Sequence, residues 1–89
     1  MRKDLELTKW RDEIDQIDAE LVALIGRRMT ASAAAGFRKR QIGLPPVDEA
    51  REKELLGRVD DPRVRALYRL ILVRCRKHAV ADVAANSPG

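Results

Sequence analysis

Arg28 stands where an apolar residue is due. From Leu7 the chain sets Trp10, Ile14, Ile17, Leu21 and Leu24 at alternating steps of three and four, and the next step lands on Arg28. Such steps mark the buried stripe of an amphipathic helix. A guanidinium there stays ionised and carries five donors, so it needs an anion to meet it. The alternative is that the stripe ends at Leu24 and Arg28 reaches water along its apolar stem. Lys39 follows eleven residues later. That is close to three full turns, so at about 100° per residue the two cations share one helix face. Asp48 and Glu52, one helical step apart beyond a turn, could face the same pocket. Arg11 lies seventeen residues before Arg28, about 100° off that face. It points away from its own chain's cluster, and in a dimer it could enter the neighbour's.

Two cations on one face, a third from a second copy and an acidic pair opposite suit a compact dianion that also carries a hydroxyl. The chain assembles no Ser/His/Asp or Cys/His arrangement, no Gly-rich phosphate loop and no metal-ligand spacing. A reaction that needs neither nucleophile nor metal fits best. The competing account is solvated charge: with 36% charged residues, a helix places Lys and Arg at matching spacings by chance.

Positioning these groups requires long helices. Asp4 and Thr8 both suit the N-cap of a first helix, and nothing breaks it before Gly43, although Gly26 and Gly36 weaken it locally. Running from about Asp4 to about Gln41, it is roughly 55 Å long at 1.5 Å per residue. Two short helices cannot cover such a rod, so a second copy is expected along it, around a two-fold axis. Ile42-Gly43-Leu44-Pro45-Pro46-Val47 is a turn. Asp48 reads as the N-cap of a second helix with Leu55, Leu56 and Val59 on one side. That helix stops at Asp60-Asp61-Pro62, where Asp61 caps and Pro62 opens a third. The third runs to about Val83 with Val64, Leu67, Ile71 and Cys75 on its inner face, and residues 86–89 form a frayed tail. The expectation is an all-α fold with three helices per chain, long, short and medium, in one domain over residues 1–85 that pairs with a second copy.

Composition agrees with this. Eighty-nine residues make one small domain that buries only roughly 60% of its unfolded surface. The net charge of +4 favours anionic partners without choosing among them. Cys75 is the single cysteine. No intrachain disulfide can form, which suits a reducing cytoplasm, and the thiol reads as a small core residue. Residues 1–6 lack the apolar run of a signal peptide and no segment reaches the length of a membrane span. A soluble cytoplasmic protein is expected.

Taken together, the residues resemble the all-helical class of chorismate mutases. The likeness begins at Trp10-Arg11-Asp12-Glu13-Ile14-Asp15-Gln16-Ile17-Asp18, an arginine followed by two Ile-Asp pairs. It continues through Leu21, Leu24, Arg27-Arg28-Met29 and Lys39 to Val47-Asp48-Glu49-Ala50-Arg51-Glu52, and covers roughly residues 7–80. The resemblance implies an intertwined dimer with Arg11 donated in trans, a small dianionic substrate, no cofactor, and the Claisen rearrangement of chorismate to prephenate on the route to phenylalanine and tyrosine. By that likeness Arg28 and the partner copy's arginine at position 11 hold the two carboxylates. Lys39 donates to the ether oxygen, and Asp48 and Glu52 address the ring hydroxyl.

The third helix departs from the family pattern. Cys75 falls where a serine is common, at the substrate, and Ala79 falls where a glutamine usually meets the ether oxygen. Ala79 cannot donate a side-chain hydrogen bond. Three explanations stand: His78 replaces the glutamine after a small rotation; the enzyme is slow or takes an activating partner enzyme; or the substrate is an analogue. The analogues on this fold are 4-amino-4-deoxychorismate, with an ammonium near Asp48, and isochorismate, split by a lyase to salicylate and pyruvate. The Asp-x-x-Arg-Glu block favours a mutase over a lyase. A module of another kind, a non-catalytic helical dimerisation or binding domain, would tolerate loss of Arg28 and Lys39. Nucleic acid is disfavoured because bases and acids interleave and neither a recognition helix nor stacking aromatics is evident.

Overall fold

A computed structural model describes the backbone of residues 4–85 and the side chains of residues 4–77. Three helices follow in order: α1 (Leu5–Gln41), α2 (Glu49–Gly57) and α3 (Pro62–Ala85). No strand occurs among the described residues, and the fold is all-α as expected.

Each boundary has a local cause. Asp4 caps α1, its carboxylate accepting from the Leu7 N–H at 3.0 Å, while the Thr8 hydroxyl donates to the Asp4 carbonyl instead of starting the helix. At the other end Gly43 adopts φ +75°. The Leu44 N–H then reaches the Lys39 carbonyl at 2.8 Å and the Gly43 N–H reaches that of Arg40 at 3.3 Å. This pair of bonds is a Schellman stop, which satisfies carbonyls that a helix end would leave open. Asp48 caps α2 through the Arg51 N–H at 3.0 Å. Asp61 accepts from the Arg63 N–H at 2.9 Å, and Pro62 between them has no N–H to satisfy. The Arg63 side chain and then its N–H hold the Asp61 carboxyl below the usual carboxylate range. Arg65 forks onto the Val59 carbonyl at 2.9 and 2.6 Å and ties the α2–α3 corner.

Gly43→Ala is expected to destabilise the domain by about 1–2 kcal/mol, because a Cβ is strained at that φ. For a domain of this size this lowers the thermal midpoint by roughly 5–15 °C, and an unchanged melting curve would show that the turn does not depend on the left-handed residue.

Packing is one-sided. α3 lies against the C-terminal half of α1 and α2 touches α3. Leu72 and Cys75 are the only buried apolar residues among those described. Every residue from Leu5 to Leu24 is exposed, including the whole stripe from Leu7 to Leu24, with Trp10 54% and Ile17 51% exposed. The molecule measures 62 × 31 × 14 Å with a radius of gyration of 18.0 Å, against about 12 Å for a compact chain of this length.

The inner face of α3 corrects the first half of the sequence expectation, while Ile71 is half-buried and Cys75 buried as expected. Val64 and Leu67 are exposed, 51% and 64%, whereas Arg65, Tyr68, Leu72 and Cys75 turn inward. Both series obey helical spacing. α3 is rotated so that Tyr68 and Leu72 meet α1, and the polar character of Arg65 and Tyr68 conceals the packed stripe from a hydrophobicity pattern.

Candidate active site

Between the second half of α1, the turn into α2, α2 itself and α3 lies an open cleft of about 300 Å³, at the lower end of small-molecule sites. α1 supplies Arg28, Ala31, Ser32, Ala35, Gly36 and Lys39 to it. These positions recur at three- and four-residue steps and make one helix face. The two ends of that face are cations and the middle is Ala, Ser and Gly. Small residues between two long charged ones leave a trough at the helix surface. The Ala-rich segment thus has a role in shape as well as in helix formation. Asp48 and Glu52 line the opposite wall and Cys75 the floor, so five of the predicted residues meet in one cavity.

Arg28 is half-buried and is held from α3. Its guanidinium lies over the Tyr68 ring, 5.7 Å from the centroid, and Nη1 reaches the Ser32 hydroxyl at 3.4 Å. Burial pulls its pKa down, but the Cys75 sulfur and the Tyr68 oxygen, acceptors at the pH where an arginine would titrate, outweigh that and leave it above the ordinary value. The group therefore carries a full charge at any physiological pH. Among the described residues Arg28 and Lys39 make no ion pair with an acid. Arg28 thus sits half-buried on a cleft wall, against Tyr68 and Ser32.

Cys75 is 2% exposed and closes the floor of the cleft beside Leu72. It sits where the family comparison expected a substrate-side residue, and it also packs as core. Asp48 has a double position: it borders the cavity and its carboxylate caps α2. Glu52 pairs with Arg76 of α3, Nη1 to Oε2 at 3.7 Å. Arg76, Arg51, Ser32 and Tyr68 were missed from the sequence. Arg51 and Ser32 had a usable signal, one turn from Asp48 and from Arg28 respectively, but Arg76 and Tyr68 depend on how α3 is rotated. Arg11 is exposed and lies outside the cleft, about 25 Å from Arg28 along α1. The side chains of His78 and Ala79 lie outside the described residues.

The cleft is thus a cationic trough with a polar wall, and no group of acids, histidines or cysteines able to hold a metal occurs among the described residues. Comparison with known proteins decides the family. A model of the chorismate mutase type II family matches residues 10–80. The chain belongs to the chorismate mutase type II family. Membership agrees with the three-helix order and with the cluster at Arg28, Lys39, Asp48 and Glu52, all of which fall inside the matched segment. The chain is also similar to a solved structure of a conserved hypothetical protein from Pyrococcus furiosus, with 30% sequence identity and a TM-score of 0.78, over 86% of this chain and 99% of that one. No curated protein matches the sequence. Among the described residues no helix is long and apolar enough to cross a membrane.

Proposed function

We propose that the protein is a chorismate mutase, converting chorismate to prephenate for phenylalanine and tyrosine synthesis in the cytoplasm. One observation carries the reading: a permanently charged Arg28, clamped by Tyr68 and Ser32, lines a trough with Lys39 and meets no acid of its own chain among the described residues. A small dianion supplies what both cations lack.

The rearrangement breaks one C–O bond and forms one C–C bond in a single cyclic step, so product and substrate are isomers and no proton, nucleophile or cofactor enters the balance. Such a step gains from holding the compact reactive conformer and from donors placed where charge develops. Arg28 grips one carboxylate. Lys39, at the far end of the same face, donates to the ether oxygen as it gains negative charge. Asp48 and Glu52 receive the ring hydroxyl. Equal grip on the extended substrate would not accelerate the reaction.

The working form in this reading is a homodimer in which each copy gives Arg11 to the other's cleft. Support comes from the bare stripe on α1 and from the surface area, 7690 Å² for 10.0 kDa. A compact monomer of that mass exposes roughly 5,200 Å². The excess is of the size that obligate dimers bury.

The deciding experiment incubates the purified protein separately with chorismate, isochorismate and 4-amino-4-deoxychorismate and identifies products by chromatography. Prephenate from chorismate is the expected result. No conversion of any of the three would overturn the enzyme reading and favour a binding module.

A further inference from the structure

Arg76 belongs to none of the apolar stripes of α3 and has no counterpart in the chemistry assigned above. The fold nevertheless brings it to the cleft. Four cations, Arg28, Lys39, Arg51 and Arg76, and two acids, Asp48 and Glu52, line the cavity. The chain's own lining therefore carries an excess of two positive charges, before a second copy adds its arginine.

Of the two acids, Glu52 is already paired with a cation. Glu52 lies 3.7 Å from Arg76, with the two side chains only 25% and 35% exposed. Partial burial keeps that pair less screened than one on the open surface. Asp48 keeps its charge, with one oxygen fixed by the N–H of Arg51 at the start of α2 in a bond of 3.0 Å. A substituent reaching Glu52 meets a carboxylate already paired with an arginine. A neutral hydroxyl loses nothing there, since it can donate to a remaining carboxylate lone pair. An ammonium would sit beside Arg76 and compete with it for the same acid. Selectivity of this kind comes from a repulsive element as much as from an attractive one.

We infer that Arg76 determines substrate specificity: by holding Glu52 it makes the cleft select dianions whose ring substituent is neutral and reject those whose substituent is a cation. The inference rests on the mutase reading and narrows its substrate to the hydroxyl-bearing class. It also weighs against 4-amino-4-deoxychorismate as the natural substrate.

The test compares the full-length protein with Arg76→Gln and Arg76→Lys. For each, kcat/KM is measured on chorismate and on 4-amino-4-deoxychorismate, and affinity for the two products, prephenate and its 4-amino counterpart, is measured by calorimetry. The unaltered protein is expected to favour the hydroxyl compounds by about 100-fold. Arg76→Gln should reduce that ratio by about tenfold, chiefly by improving the amino compounds, and Arg76→Lys should restore it, as expected for like-charge repulsion in a partly buried site. A general loosening of α2 would depress both substrates together and leave the ratio where it was. A preference unmoved in Arg76→Gln, with the hydroxyl compounds still bound and converted, overturns the inference alone. A starting preference for the amino compounds also overturns it. Failure of the unaltered protein to bind or convert either hydroxyl compound overturns the mutase reading, and the inference falls with it.

Discussion

Arg28→Ala is expected to lower kcat/KM for chorismate at least about 10³-fold, at the upper end of what loss of one positioned donor does in a transition state. The effect exceeds that of an ordinary hydrogen bond because the lost group is a full charge with a rigid fork, held on the cleft wall by Tyr68 and Ser32. Stability should change little. The substitution removes a contact over an aromatic ring worth about 0.5–1 kcal/mol at such a site, but it also removes a half-buried charge with no acid partner among the described residues. Arg28→Lys keeps the charge without the fork and should fall between the two. Steady-state assays alongside thermal melts check this: wild-type turnover in a folded Arg28→Ala variant would remove Arg28 from the site.

Ile17→Asp should break the dimer and silence the enzyme without touching the cleft. Ile17 is 51% exposed in the single chain, in the middle of a stripe that no helix of its own chain covers. If a second copy covers it, the two-fold axis makes one substitution count twice, forfeiting about 1.5–3 kcal/mol of apolar burial in each copy before the expense of a buried carboxylate is included. A loss of about 3–6 kcal/mol weakens association roughly 10²–10⁴-fold. Sedimentation should then report monomers. Circular dichroism should report lost helix, because a bare stretch of some twenty residues is marginal as an isolated helix. Activity should fall with it, since Arg11 leaves the opposite cleft. Mixing Arg11→Ala with Arg28→Ala isolates that last point. In the heterodimer one cleft receives both arginines intact, so two inactive variants should together recover up to about a quarter of wild-type activity after random exchange. No recovery would mean that Arg11 does not act in trans.

How much of this was legible beforehand differs by element. Asp4, Gly43, Asp48 and Asp61-Pro62 act within a few residues of themselves, and the structure shows caps or stops at all four. The sharing of one face by Arg28 and Lys39 follows from rotation per residue along one unbroken helix. α3 was another matter. Val64-Leu67-Ile71-Cys75 and Arg65-Tyr68-Leu72-Cys75 are both regular series on one cylinder, and hydrophobicity favours the first. Packing chose Arg65 and Tyr68 over Val64 and Leu67 in the first half of α3, because Tyr68 supplies both an apolar ring against α1 and a face for the Arg28 cation.

By itself the chain determined its three helices, most of their ends, and the placement of Arg28 and Lys39 on one side of α1, since those depend on backbone propensity, caps and helical phase over short distances. α2 ends at Gly57, short of the Val59 and Asp60 expected of it from the sequence. Tertiary structure alone decided that the Ala and Gly between those cations form a trough, that Glu52 is held by Arg76, and that Arg28 is clamped by Tyr68 rather than left in water. Those outcomes depend on how α2 and α3 rotate about their own axes as they pack, and that angle is set by contacts between residues distant along the chain.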